Sequence, residues 1–583
     1  MQQIHFDAKR LWLFLGLALA ACCSGCNRGE TFTAPTTTPP VALPTSAENA
    51  SPTTDDLPFQ NVTEQTGIDF QFHSGRDAGE FAILESLGGG VAVFDLELDG
   101  NMDLMFAGGG GLQNQTVTAA ACRLYRNTGD LRFVDITPQA GAAADRFYNH
   151  GLFPADFDND GFSDLVVSGY GGLQFYRNQG DGTLQEQRDV GDLPDVTWAT
   201  SIACGDFNGD GILDLYIPQY VSWSWDEHPQ CFANSQGDRE VCAPKDFRGL
   251  DDMLWLGDGT GRFRDATKTS GLIPGGKGLG AVAADLDFDG DTDIYVANDT
   301  TDNFLYMNDG QGVLSESAII AGVSGDDVGV NTGSMGITTV DSDNDGRLDL
   351  WVTNFERELF ALYRNDGAAA FTHVSRPAGL AVLGGLYVGF GTVAIDFDFD
   401  SDQDLVVANG HVSYRSQHSS FPQEALLLEN RGDGTYQRVA AGGYFEESHV
   451  GRGLAYGDLD NDGAMELIFC NADEPIAILK ADRPEADNFA VIRLIGTQSN
   501  RDAIGATIQW NGGGKRGALS RSGGGSYLSQ SDPRILMTVP PDAGDIDVSV
   551  RWSSGHTESF PFPQDSRHVT WIEGTGNPLA QRP

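Results

Sequence analysis

From about residue 57 the chain alternates between short apolar runs and sharply acidic, glycine-bearing turns. VAVFD precedes one such turn and DLMFAG follows it; AVAAD and DIYVAN flank another. Apolar runs this short, bounded by Gly, Asp and Asn, predict strand, turn, strand. Most units continue into a hairpin phrase: LYRNTGDLRF at 124, FYRNQGDGTL at 175, LWLGDGTGRF at 254, LYMNDGQGVL at 305, LYRNDGAAAF at 362 and LLLENRGDGTY at 426. Their Asn-x-Gly and Gly-Asp-Gly elements supply the positive-φ positions that such turns need. FVDITPQAG at 133, FRDATKTSG at 263 and FTHVSRPAG at 371 then read as outer strands with their exits. The chain is therefore expected to be all-β.

The acidic turns repeat one nine-residue pattern seven times: Asp, x, Asp/Asn/Glu, x, Asp, Gly, x, x, Asp/Glu. Position one is Asp95, Asp156, Asp206, Asp285, Asp341, Asp396 and Asp458. Position three is Glu97, Asp158, Asn208, Asp287, Asp343, Asp398 and Asp460, and position five is Asp99, Asp160, Asp210, Asp289, Asp345, Asp400 and Asp462. Position seven is Asn101, Phe162, Ile212, Asp291, Arg347, Asp402 and Ala464, and position nine is Asp103, Asp164, Asp214, Asp293, Asp349, Asp404 and Glu466.

A hard cation such as Ca2+ takes six to eight oxygens at about 2.3–2.6 Å, which a tight loop delivers from alternate residues. Positions one, three, five and nine would give side-chain oxygen; position seven, chemically indifferent, would give its carbonyl. Glycine at position six permits the sharp turn, and the sixth copy departs from the pattern with Ser401. One such loop can be a solvated acidic turn, but seven in a regular array point to structural Ca2+. Mg2+ demands a more rigid octahedral site, and no His/Cys cluster has zinc spacing.

The starts of the loops lie roughly 50 to 80 residues apart, the length of a four-stranded propeller blade with its connections. FQNVTEQTG at 59 is an outer-strand phrase with no acidic loop before it, and the last repeat, ending near AILKAD, lacks one. The economical arrangement is a seven-bladed β-propeller over 57–486 whose N-terminal strand completes the last blade, leaving no open sheet edge.

Charge narrows the function. Against 36 basic residues stand 83 acidic ones, a formal net charge of −47, which repels nucleic acid and anionic lipid. The 33 Phe and 9 Trp argue against an acidic disordered chain. At the N-terminus, Lys9 and Arg10 precede the apolar run 11–21, too short to span a bilayer and read as an export signal. Leu19, Ala20, Ala21 and Cys22 resemble the lipobox of bacterial lipoproteins, which implies cleavage after residue 21 and lipidation at Cys22, with Cys26 the alternative. The Thr/Pro-rich stretch within 22–56 would be a tether. The expectation is a body held outside the cytoplasm on the outer membrane or cell surface, touching membrane only through its anchor. In that oxidising setting Cys231 and Cys242 are expected to pair, whereas Cys122, Cys204 and Cys470 sit in strand-like runs and read as core.

The repeated phrases resemble FG-GAP/VCBS repeats, known from integrin α-subunit propellers and many exported bacterial proteins; in that family the acidic loops bind calcium. After about Asp487 the loops stop. GTQSNRDAIGATI at 496, GSYLSQSDPR at 525 and VRWSSGH at 550 resemble the ASPIC/UnbV domain, placed at 487–583 as a separate small β-domain. Together with LESLGGGVAVFD at 84, VANDTTDNFLYMNDG at 296 and VANGHVSY at 407, this organisation resembles bacterial relatives of cartilage acidic protein. The resemblance implies an extracellular calcium-binding protein with an adhesive or partner-binding role, and the leading expectation is a binding module that grips a protein or glycan. It brings no catalytic residues with it.

Two other readings stand beside a binding module: a polysaccharide hydrolase or lyase using carboxylates in the propeller's central cleft, and a purely structural envelope protein. Against the enzyme, the notable carboxylates are already assigned to metal loops, no GxSxG or HExxH motif is present, and His73, His150, His411 and His449 are scattered.

Overall fold

A computed structural model describes residues 58–383, 385–481, 488–541, 543–563 and 567–579. Cys22, the leader 1–21 and the whole of the segment 22–56 lie outside these residues. Among the described residues no helix is longer than four residues, and none is long and apolar enough to cross a membrane.

The fold is a β-propeller. Seven four-stranded antiparallel sheets follow one another along the chain. The first comprises Val91–Phe94, Asp103–Phe106, Arg123–Asn127 and Phe133–Asp135. In all seven sheets an acidic loop joins the first strand to the second, and its ninth residue opens the second strand. Register is the same throughout: the residue before the loop pairs with position nine, as in Phe94↔Asp103, Val340↔Asp349 and Gly457↔Glu466. In the last sheet the outer strand is N-terminal, with Phe59–Asn61 pairing antiparallel to Leu479–Ala481. Apolar clusters fill the spaces between sheets, with fully buried Tyr295, Leu305, Leu350 and Tyr363 between the fourth and fifth.

An asparagine in the third strand latches neighbouring sheets together. Asn365 Nδ2 donates to the Leu348 carbonyl of its own sheet (3.0 Å) and to Leu286 O of the preceding one (2.7 Å). Asn178, Asn308 and Asn430 do the same one sheet apart, and Asn127 reaches Leu459 O of the seventh sheet at 2.7 Å. Sequence reading assigns this asparagine to the hairpin turn. In the structure it lies in the strand, and Gly129 carries the positive φ (93°).

Between 489 and 578 the described residues form two further sheets, one of Ile535–Thr538, Phe489–Ile495 and His568–Ile572, the other of Lys515–Ser520, Thr507–Gly512, Asp547–Arg551, Thr557–Pro561 and Asn577–Pro578. Ile492, Ile508, Met537, Val550 and Trp552 are buried between them. This module does not keep to itself. Its segment 521–534 runs among the innermost strands of the propeller. Gly523 and Gly524 add a fifth strand to the fourth sheet, and backbone bonds tie Gln530 to Val91 and Val93, Leu528 to Leu152, and Ser526 to Ile337. Side-chain bonds link Ser526 Oγ to Leu454 O, Ser526 Oγ to the Thr392 N–H, and the Leu528 N–H to Ser201 Oγ. One short segment meets the inner edge of all seven sheets, so those edges converge around it. Tyr527 and Leu528 are fully buried there.

Candidate metal centres

The seven acidic turns are built on one hydrogen-bond scheme, complete in five of them. In the second loop Asp156 Oδ1 accepts the Asp160 N–H (3.0 Å) and its Oδ2 the Gly161 N–H (2.8 Å). Asp95, Asp206, Asp341 and Asp396 repeat both bonds; Asp285 and Asp458 keep the one to position six. Position five caps position seven, as where Asp99 Oδ1 accepts the Asn101 N–H at 2.8 Å. Position nine pins the loop to its sheet: Asp293 Oδ2 accepts the Leu286 N–H and Oδ1 the Asn308 N–H.

The turn needs positive φ twice, and the repeated pattern predicts only one of the two positions, the glycine at position six. Besides position six, position four is left-handed in every copy: Leu98, Asn159, Gly209, Phe288, Asn344, Phe399 and Asn461 have φ between 55° and 72°. Asparagine there was a readable signal, since it tolerates this region; Leu and Phe gave none. Ser401 holds position six at φ 77°, and its N–H still reaches Asp396 Oδ2 at 2.8 Å, so the sixth loop keeps its shape under strain.

The geometry can hold a cation. One oxygen each from Asp156, Asp158 and Asp164 lies within 4.8 Å of the others, and likewise from Asp285, Asp287 and Asp289, from Asp341, Asp343 and Asp345, and from Asp396, Asp398 and Asp404. Glu97 Oε2, Asp285 Oδ1, Asp343 Oδ1 and Glu466 Oε1 are buried with no hydrogen-bond partner, an arrangement costly to keep without a cation. Burial pushes the carboxyls of Asp103, Asp164 and Asp341 up to about 8. Side-chain cations supply some neutralisation of their own: Lys480 bonds Asp460 and Asp462 in the seventh loop, and Arg177 and Arg347 reach loop carboxylates in the second and fifth. The alternate-residue donor set of hard oxygens fits a calcium-type ion.

The C-terminal module packs on this same face. Asp502 Oδ2 accepts the Asp156 N–H (2.8 Å), the Ala518 N–H bonds Asp341 Oδ2 (2.9 Å), Thr538 bonds Asp396, and His568 Nε2 lies 2.9 Å from Asp458 Oδ2.

Cys231 and Cys242 form a disulfide; Cys122, Cys204 and Cys470 are free and buried. The histidines do not converge. His150 is buried between Gly88 O and the Trp198 indole N–H, with its pKa lowered to about 4 by burial. His411 Nδ1 accepts the Ser413 N–H, and His449 stacks on Tyr444.

With seven such loops, one per sheet, the architecture is that of a repeat propeller. The repeats match the FG-GAP-like repeat family over 95–167, 156–217, 233–296, 285–352 and 396–469, and residues 496–577 match the family described as ASPIC and UnbV. This chain belongs to the FG-GAP-like repeat family and carries an ASPIC and UnbV domain. Among curated proteins it is similar to cartilage acidic protein 1 of Mus musculus, 24% identical over 498 residues spanning 80% of this chain and 70% of that protein. The Homo sapiens protein of the same name is 24% identical over 488 residues, 80% of this chain and 69% of the relative. Similar solved structures include YCF48 bound to a D1 peptide (TM-score 0.41, 8% identity, 74% of this chain and 97% of that one). The C-terminal WD40 domain of Sif2 is another (TM-score 0.35, 12% identity, 68% and 97%).

Proposed function

We propose that this protein is a calcium-stabilised binding module, exported and lipid-anchored through Cys22, that presents its propeller and C-terminal domain to a protein or glycan partner. The observation that carries the calcium reading is the set of buried loop oxygens, Asp285 Oδ1 and Asp343 Oδ1 among them, that have no partner while neighbouring carboxylates converge on them. Calcium would neutralise each loop and fix the turn between the first two strands of its sheet. The repeat family and the ASPIC and UnbV domain support a binding or adhesion role. Against a carbohydrate-active enzyme, Tyr527 and Leu528 fill the axis where a central catalytic cleft would lie.

The test is thermal unfolding with a chelator and with added Ca2+. A ligand held only by the native state stabilises it by RT ln(1 + [L]/Kd), about 4 kcal/mol at a thousandfold excess over Kd. Chelation is expected to lower the melting temperature strongly. Asp287→Ala is expected to remove one bound ion, counted by metal analysis, and leave the other loops loaded. Identical melting with and without metal would sink the calcium reading. Mass analysis of the mature N-terminus tests the anchor: an unmodified Cys22, or a start elsewhere, rules it out.

A further inference from the structure

A cleft of about 380 Å³ opens between the first two acidic loops and the C-terminal module. Its apolar lining includes Leu98, Met102, Pro154, Val491 and Val569. Into it come Arg493, Arg501 and Arg521, together with Arg534 and His568. The last two are committed elsewhere: Arg534 grips Asp532 and Asp458 O, and His568 lies against Asp458. The first three are held less firmly, and of them only Arg501 is ion-paired. Arg493 has only a through-space interaction with Asp95, Arg521 bonds the Ser522 carbonyl at 3.2 Å, and Arg501 stands 3.7 Å from Asp156. Among the described residues neither Arg493 nor Arg521 is ion-paired.

In a chain with 36 basic and 83 acidic residues, three weakly partnered guanidinium groups around one cleft call for an anion. Arg521 makes the case stronger, because it is only 8% exposed, and a buried charge is costly unless paired. The acids on the walls are Asp95, which accepts the Asp99 and Gly100 N–H groups, and Asp502, which accepts that of Asp156; neither is within ion-pair distance of Arg493 or Arg521 among the described residues. A planar guanidinium fork matches carboxylate or sulfate oxygens. The apolar lining calls for an organic body as well as a charge, and a cleft between modules is a usual place for such a ligand.

We propose that this cleft binds a small organic oxyanion of sugar-acid size, its carboxylate or sulfate held by Arg493, Arg501 and Arg521 and its body lying against Leu98, Met102 and Pro154. This rests on the binding-module reading, since cations in the first two loops would neutralise Asp95 and Asp156 and leave the arginines to dominate the local field.

The test is calorimetric titration of the full mature chain in calcium buffer with D-galacturonate, glucose 6-sulfate, glucose and inorganic sulfate; the two acidic sugars separate a carboxylate from a sulfate ligand. At least one acidic sugar is expected to bind, with glucose and inorganic sulfate roughly tenfold weaker or more. Arg493→Gln, an exposed position with no bond to lose, is expected to weaken binding about tenfold at an unchanged melting temperature. No binding by either acidic sugar, equal binding of glucose or inorganic sulfate, or indifference to Arg493→Gln would each overturn the proposal. Melting that ignores a chelator while Arg493-dependent binding persists would sink the calcium reading and leave the cleft standing; chelator-sensitive melting with no acidic-sugar binding does the reverse.

Discussion

A β-carbon placed on Gly90 would sit 1.7 Å from the carbonyl oxygen of Leu528, 438 residues further along the chain. The contact joins the entry to the first sheet to the segment of the C-terminal module that lies along the propeller axis. Neither backbone can retreat, because Leu528 O accepts the Leu152 N–H and Gly90 is bonded to His150. Gly90→Ala is therefore expected to cost about 3 kcal/mol or more. Gly129→Ala, at positive φ but with open space around it, is expected to cost only about 1 kcal/mol. Urea unfolding of the two variants checks the difference, and equal losses would mean that the axial segment does not pack against Gly90.

Ser401 invites the opposite change. It holds φ 77° where five sister loops have glycine at φ 82–106° and the first has Gly100 at 89°, and its hydroxyl is buried without a partner. Ser401→Gly is expected to stabilise the protein by about 1 kcal/mol, read as a rise in melting temperature with metal content unchanged.

The asparagine latch predicts a coupling between sheets. Asn365→Ala leaves the carbonyls of Leu286 and Leu348 without their donor in a buried site, at an expected cost of about 2 to 3 kcal/mol. Hydrogen exchange is expected to quicken in both the fourth and the fifth sheet. Quickening confined to the fifth would show that the latch does not bridge them.

Glu85 predicts a pH dependence. It lies 4% exposed beside Tyr414, Arg76 and Asp473, and burial raises its pKa to about 8 from an ordinary 4.5. The folded protein thus holds a proton here that the unfolded chain releases. This contribution to stability is complete below about pH 4.5 and is lost as pH rises through about 8. Glu85→Gln is expected to remove that share of the decline, so the stability difference between variant and wild type should widen from pH 5 to pH 9 in the variant's favour, measured by urea unfolding at fixed calcium.

Much of this was legible from residue order alone. The nine-residue acidic turns and their flanking apolar runs located the first two strands of every sheet, because turn chemistry and strand alternation are local properties. The lone FQNVTEQTG phrase marked the strand that pairs beside Ala477–Ala481. Cysteine spacing pointed to the Cys231–Cys242 bond. The left-handed position four of the loops was only half visible, through its asparagines.

What tertiary structure alone decided is the placing of 521–534. By composition RSGGGSYLSQSDPR is a glycine- and serine-rich connection, and nothing local distinguishes it from a surface loop. Its glycines are required by carbonyls that arrive from elsewhere: a β-carbon on Gly523 would meet Cys204 O at 1.8 Å, and one on Gly524 would meet Ala281 O at 2.6 Å. The same holds for the arginine-lined cleft, whose walls come from residues near 98, 154, 493 and 521. Local sequence sets which backbone shapes are cheap; contacts between segments hundreds of residues apart are chosen by packing, and only the folded chain expresses that choice.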